Sequence, residues 1–279
     1  MDATTAEVRI SGSQVANYME CQKKFELAHI DKLMPANGNG KALVRGSTGH
    51  KIMEVWAKNH MKGVPTEESL SLAMAAGMEY NTGFAVEVFP MIAYWVKNVF
   101  PNLGWKILEV EKTYYAKVGT AKDGRPLMFP FTIDLLVEAE GKIVIVDHKF
   151  QADPFEDEMI ELMPQLKKYI VALRSQKINV HHAIYNTFRT RTMKAGPAER
   201  NVMQKTVPSV AQLKSAMLPQ IQMMHKIDQH EGEYLRVLNK NICTYCPFKK
   251  ICLVETNGED ASLIKQFDYV TTDYGYDDE

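Results

Sequence analysis

The pattern of apolar and polar positions is sharpest at Ile143–Phe150, IVIVDHKF. Four β-branched apolar residues in a row suit a strand buried on both faces. Gly141 and Lys142 precede it as a turn, and FPFTIDLLV, Phe129–Val137, reads as the strand before it. Side chains alternate across a strand, so Asp147 and Lys149 share one face and His148 points to the other. Asp134 is set among apolar residues, where a carboxylate needs a partner or a cation. A hairpin across 139–141 brings Asp134 near Asp147. Two adjacent carboxylates repel, and a divalent cation relieves the repulsion. Lys149 is then placed to polarise a water. The tripeptide alone fits a salt bridge at a strand end equally well.

The remaining pattern is mostly helical. SGSQVANYMECQKKFELAHI, Ser11–Ile30, predicts a helix capped by Ser11 or Ser13 and carrying Cys21. Asn37–Gly49 is glycine-rich but is no phosphate loop, since Ala42 stands where a magnesium-binding Ser or Thr would be. A second helix spans Gly46–His60. Glu67–Phe100 reads as helical, broken near Gly83 and Pro90, with Met74, Met78, Phe84, Val88, Ile92 and Trp95 as packing residues. Trp105–Lys117 reads as a strand. Its Glu109 and Glu111 fit a solvated face better than a metal site, although the strand should neighbour Asp134. Asp157–Arg174 predicts one helix with Leu162, Leu166, Tyr169, Ile170 and Leu173 on its apolar stripe and Pro164 near its first turn. Gln165 and Tyr169, four apart, share a face, as in any amphipathic helix. Val180–Arg191 alternates as a strand, and Pro208–His230 forms another helix.

Composition narrows the class. The chain has 279 residues, 46% hydrophobic and 24% charged, the profile of an ordinary globular protein. No apolar run approaches the ~20 residues of a membrane span. The N-terminus lacks a signal-peptide layout, which predicts a cytoplasmic location. The net charge of −1 weighs mildly against a nucleic-acid partner. The charges are unevenly spread, however. Bases gather at Lys167–Lys168, Arg189–Lys194 and Lys249–Lys250, and acids at Glu156–Glu161 and Asp273–Glu279.

Asp134 followed by Asp147-His148-Lys149 resembles the PD-(D/E)xK nuclease pattern, with Ile133 where a loosely kept proline would stand. His50 in RGSTGHKIMEVW, Gln165 with Tyr169 in QLKKY, and the cysteines extend the likeness to the RecB-type exonuclease branch, which includes the CRISPR-adaptation and AddB-type nucleases. The likeness runs from about Ser11 to about Cys252. It implies that His50, Asp134, Asp147 and the backbone carbonyl of His148 hold Mg²⁺ or Mn²⁺. It also implies that Lys149 orients or deprotonates the attacking water, and that Gln165 and Tyr169 contact the substrate strand. By its residue type alone, His50 also fits a packed or surface histidine. Arg189 and Arg191 are candidate phosphate contacts.

Cys243 and Cys246 form a CxxC followed by Pro247, and Cys252 follows after five residues. Three thiolates need a fourth ligand to close a tetrahedral site, and Cys21 is the one cysteine left. Closing so long a loop is worth ~4 kcal/mol by analogy with disulfides. The resemblance implies a 4Fe-4S cluster. Four thiolates suit Zn²⁺ too.

The expected fold is α/β: a restriction-endonuclease-like core, a small mixed sheet flanked by helices. A helical insertion at about 62–100 and a four-cysteine iron–sulfur clamp joining the N- and C-terminal segments complete it. A single nuclease domain is expected over 1–260, with a disordered acidic tail over 261–279. The expected function is metal-dependent cleavage of DNA, as an exonuclease in replication, recombination or repair. Alternatives are a non-catalytic DNA-binding subunit of a recombination complex and a structure-specific endonuclease. No phosphate loop is present, so a helicase or recombination partner would be a separate protein.

Overall fold

The computed structural model describes residues 7–38, 40–191, 196 and 200–272. In chain order the elements are β1 (Val8–Arg9), α1 (Gly12–Glu20), α2 (Gln22–Phe25), β2 (Leu33–Pro35), α3 (Lys41–Met61), α4 (Thr66–Tyr94), β3 (Lys106–Thr120), β4 (Pro126–Ala139) and β5 (Lys142–Gln151). There follow α5 (Asp157–Leu162), α6 (Gln165–Ser175), β6 (Val180–Arg189), β7 (Asn201–Thr206), α7 (Val210–Asp228), α8 (Lys240–Tyr245), α9 (Lys249–Thr256), α10 (Ser262–Asp268) and β8 (Tyr269–Thr271). The segment expected to be one domain falls into two compact units. One draws on 1–39, 117–130 and 219–279, the other on 40–116 and 131–218.

The larger unit is the α/β core. Its mixed sheet runs β3-β4-β5-β6-β7, with β4 antiparallel to β5, β5 parallel to β6 and β6 antiparallel to β7. The β4–β5 hairpin turns through Glu140 and Gly141, both at positive φ. Two left-handed residues make the two-residue turn whose twist matches its strands, so this turn sets the register. Leu135 pairs with Val146, and the next positions outward are Asp134 and Asp147.

On one face of β5, Val144, Val146 and Phe150 join a core with Ile52, Met53 and Trp56 of α3, and Val88 and Ile92 of α4. On the other, Leu166, Ile170 and Leu173 of α6 are buried against β5 and β6. The long α4 departs from helical geometry at Asn81, whose side chain caps the Phe84 N–H. Pro90 stays inside the helix, so the break expected there does not occur.

The helix expected over 157–174 is two helices. Pro164, which has no N–H to donate, is the N-cap of α6. The carbonyls freed at the end of α5 are answered by Lys167. Its ammonium donates to Ile160 O at 2.8 Å and Met163 O at 3.0 Å. Lys167 is therefore buried rather than part of a basic surface, and Leu162 is 72% exposed rather than on the apolar stripe.

The smaller unit packs Leu27, Ala28 and Leu33 against Phe248, Ile251, Ala261 and Tyr269. Ser11 caps α1 in a capping box with Gln14. The single helix expected over Ser11–Ile30 is interrupted at Cys21, which is extended at φ −163° and ψ 117°. The chain resumes as α2 and a wider turn, Glu26–Ile30. The tail expected to be disordered from 261 contains α10 and then β8, which pairs antiparallel with β2. Burial of Ala261 and Tyr269 in the small core explains this order. The acidic run at 273–279 lies outside the described residues, as do Thr192–Lys194 of the second basic cluster. Among the described residues, no helix is long and apolar enough to cross a membrane.

Candidate active site

The β4–β5 ladder stops at Leu135–Val146, and from there side chains take over the hydrogen bonding. The His148 N–H donates to Asp134 Oδ2 at 2.6 Å. Asp147 and Lys149 emerge on one face, as alternation requires. Lys149 Nζ lies 2.8 Å from Asp147 Oδ2 and donates to Asp147 Oδ1 at 3.1 Å and Gln165 Oε1 at 3.2 Å. Gln165 Nε2 in turn donates to the Tyr169 hydroxyl at 3.3 Å, and the Tyr169 ring stacks on Phe131 at 4.9 Å. The QxxxY face of α6 thus meets the acid-base pair of β5. The His148 ring turns away, as expected, to Asn186 Nδ2 at 3.1 Å.

His50 comes from α3. The helix can lie close to β5 because residue 49 is glycine: a Cβ there would meet the Phe150 ring at 2.5 Å. Gly46, one turn earlier, has open space around it. This approach sets His50 Nδ1 3.3 Å from Asp134 Oδ2 and 3.7 Å from Glu111 Oε1. Among the described residues, His50, Glu111 and Asp134 offer ligand atoms all within 4.8 Å of one another.

Glu111 fits a solvated strand face by its sequence, and the structure places it elsewhere. Alternation would put it beside Glu109 on a solvated face. Glu111 has φ +45°, a left-handed backbone inside a strand, and this breaks the alternation. Strain of that kind costs ~1–3 kcal/mol and gathers at functional sites. Glu109 instead accepts from Tyr114 at 2.6 Å and from Lys112 at 2.5 Å. The only sequence signal for Glu111 was its strand's place next to β4.

The electrostatics show a site crowded with charge. Burial pushes Asp147 up to about 6, with Lys149 pulling down and Asp134 adding repulsion. Burial also raises Asp134, helped by Glu111 and opposed by His50. Burial disfavours the His50 cation, but Asp134 and Glu111 outweigh it and lift His50 to about 9. Its side chain keeps 32% of its surface open, so water moderates both effects. Lys149 is raised, its burial cost overcome by Asp147 and Asp134. Asp147 Oδ2 is buried and accepts no well-directed hydrogen bond even with Lys149 close by. An oxygen lone pair so exposed to its neighbours' charge, close to His50 and Asp134, fits a hard divalent cation. Asp147 itself lies next to the His50–Glu111–Asp134 group, paired with Lys149.

Arg189 and Arg191, the candidate phosphate contacts, both reach Asp153, each at 2.9 Å. The predicted strand ends at Arg189.

The four cysteines lie in the smaller unit and line one cavity of about 270 Å³. Cys21 sits where α1 breaks, Cys243 lies in α8, Cys246 follows α8, and Cys252 lies in α9. The Val237 N–H donates to Cys21 Sγ at 3.5 Å, and Cys243 donates to Val237 O at 3.6 Å. Val237, Leu238, Ile242, Phe248 and Leu253 complete an apolar surround. Four thiols around one cavity with a backbone N–H aimed at sulfur fit a thiolate-bound metal or cluster.

Nothing among the curated proteins matches this chain. One solved structure, of SSO0001, is 12% identical and covers 73% of this chain and 84% of that one. Its TM-score of 0.37 marks a loose likeness. A profile of the PD-(D/E)XK nuclease superfamily, in contrast, matches residues 9–253, the stretch that holds every group described above. With Asp134, Asp147 and Lys149 assembled on one hairpin within that stretch, the chain belongs to the PD-(D/E)XK nuclease superfamily.

Proposed function

We propose that this protein is a divalent-cation-dependent deoxyribonuclease, working as an exonuclease of the RecB type in replication, recombination or repair. The observation that carries the proposal is the convergence of His50, Glu111 and Asp134 beside the Asp147–Lys149 pair. His50, Glu111 and Asp134 would hold Mg²⁺ or Mn²⁺, with Asp147 and the backbone carbonyl of His148 completing the shell. When bound, the cation acidifies water and neutralises charge on the phosphate.

The chain's own groups do the rest. Lys149 is held at three points, by both oxygens of Asp147 and by Gln165, so its ammonium is fixed in direction. It orients the attacking water as oxygen adds to phosphorus and one bridging P–O bond breaks. It also answers the negative charge that grows on the phosphoryl oxygens. Gln165 positions Lys149 directly, and Tyr169, anchored on Phe131, presents its hydroxyl next to Gln165 for the strand being cut. Arg189 and Arg191 would reach phosphate only by exchanging it for Asp153.

The cysteine cavity would hold a 4Fe-4S cluster that ties α1 to the α8–α9 segment, with Zn²⁺ as the other occupant its ligands suit. A helicase or recombination protein would be a separate partner.

End-labelled linear DNA and circular single-stranded DNA, each incubated with Mg²⁺ or Mn²⁺, test the reading. Release of labelled nucleotides from linear DNA with circles left intact is the expected result. Cut circles would replace exonuclease by endonuclease. No cleavage of either would overturn the nuclease assignment in favour of a non-catalytic DNA-binding subunit.

A further inference from the structure

On one face of the larger unit's sheet, Val144 and Val146 of β5 and Ile184 of β6 join the large core. Alternation carries that face on to Lys142 of β5 and His182 of β6, and Lys205 of β7 pairs with Ile184. A row that packs as core in its middle is therefore basic at the end that holds the β4–β5 turn. These three bases line a cavity of about 270 Å³ with Glu140, Trp105 and Met203. Along β5, Lys142 is five residues from Asp147, about 17 Å at the rise of a strand. The cavity is thus separate from the carboxylate site.

Charge and shape together narrow what this cavity takes. Among the described residues, neither Lys142 nor Lys205 has an ion-pair partner, and Glu140 is the one acid in the lining. His182 is 7% exposed, with its Nδ1 3.0 Å from His181 Nδ1. Burial, then Lys205, His181 and Lys142, pushes His182 down to about 4, so its ring is neutral and offers a hydrogen bond. Two ammoniums beside a neutral imidazole are complementary to one compact dianion. The rest of the lining is apolar, and its half-buried Trp105 is braced by the Trp95 ring at 6.4 Å. A bare inorganic anion would leave that apolar surface uncovered, whereas a flat body attached to the anion would cover it. The volume lies just under the ~300–1,000 Å³ usual for small-molecule sites, which suits one small ligand rather than a length of strand.

We infer that this cavity binds a deoxynucleoside monophosphate, with Lys142, Lys205 and His182 on the phosphate and Trp105 against the base. A phosphate monoester carries close to two charges at neutral pH, and it is the class of product that exonucleolytic hydrolysis releases. The choice of a nucleotide rests on the nuclease reading, but the test requires no cleavage. Full-length protein as purified, with no Mg²⁺ or Mn²⁺ added, is titrated calorimetrically with deoxyadenosine 5′-monophosphate, with deoxyadenosine and with inorganic phosphate.

The nucleotide should bind, and each of its two fragments should bind at least about tenfold more weakly. Lys142→Ala and Lys205→Ala should each weaken nucleotide binding about tenfold, the scale of one lost hydrogen bond to a charged group. Both lysines are exposed, so circular dichroism should be unchanged in each variant. Binding should also quench tryptophan fluorescence. Trp105→Phe should remove the quenching and keep most of the affinity, because Trp56 and Trp95 are buried.

Absence of nucleotide binding would overturn the proposal. So would phosphate or deoxyadenosine binding as tightly as the nucleotide, since the cavity would then recognise only one half of it. Affinity kept in both lysine variants but lost in Lys149→Ala would place the nucleotide at the carboxylate site and overturn the proposal too. Binding that depends on Lys142 and Lys205 in a protein that cuts no DNA would keep this proposal while sinking the nuclease reading. Cleavage of DNA by a protein that binds no nucleotide would do the reverse.

Discussion

At the carboxylate site the protein answers its own charges. A protonated His50 faces Asp134 and Glu111, Lys149 faces Asp147, and a backbone N–H serves Asp134. At the cysteine site the partners are fewer: the Arg236 guanidinium reaches Cys252, a backbone N–H at Phe248 reaches Cys246, and Cys21 and Cys243 meet the backbone before α8. Their contacts to the 235–237 backbone run from 3.5 to 3.9 Å, with sulfur as a weak partner throughout. On the proposed reading the first site takes up a cation by releasing the His50 proton. The second becomes a tie between distant segments only when a metal or cluster joins its sulfurs. On the proposed reading one site would link metal to catalysis and pH, and the other would link metal to stability.

The sharpest division is made by variants of β5. Asp147→Asn and Lys149→Ala should lower cleavage by at least ~10³-fold, the scale of a positioned catalytic group, with melting temperature little changed. Cleavage at the wild-type rate in either purified variant would break the catalytic half of the comparison.

Cys21→Ser should do the reverse. It should lose all iron and acid-labile sulfide, as completely as Cys246→Ser, and cost ~4 kcal/mol of stability. Anaerobically purified wild-type protein should be brown with close to four of each per chain, as the cluster requires. One tightly held zinc in a colourless protein would keep the tie and replace the cluster. Full metal content in Cys21→Ser would remove the tie.

Within the carboxylate site, Glu111→Gln should raise the Mn²⁺ concentration needed for half-maximal activity by ~10–100-fold. Glu109→Gln should not, because Glu109 is spent on Tyr114 and Lys112. Equal effects would return Glu111 to the solvated face.

The pH response follows from His50, raised from 6.5 to about 9. At neutral pH its proton must leave before a cation binds, so cation affinity should rise about tenfold per pH unit and level off above about 9. Without a cation the sign is opposite. The stability His50 contributes is present below its unfolded value of 6.5 and lost as pH rises through about 9. His50→Ala should flatten both profiles, as read by calorimetry across pH 6–9.

The smallest effect belongs to Tyr169→Ala, which should lower DNA cleavage about tenfold without altering Mn²⁺ dependence. The ring also stacks on Phe131. A loss of helical signal that parallels the loss of activity would make Tyr169 a packing residue.

The groups on β5 were legible in the sequence because local geometry decides them. Strand alternation separates Asp147 and Lys149 from His148, and the Glu140–Gly141 turn brings Asp134 alongside through its register. The Gln165–Tyr169 face follows equally from helical spacing. The tertiary structure alone decided what depends on departures from those periods or on contacts between distant segments. A left-handed backbone at Glu111 parts it from Glu109 and turns it toward His50. Close packing of Gly49 on Phe150 sets the position of His50. An extended Cys21 breaks a helix that propensity would continue. Lys167, which reads as a surface charge, is drawn inside because Pro164 leaves carbonyls that need a donor. For Glu111, His50 and Cys21 the energy that fixes the residue comes from atoms far away in the chain or from strain that the surrounding fold sustains, and no local pattern records either; for Lys167 the acceptors are only four and seven residues away, but they are free only because the helix breaks at Pro164.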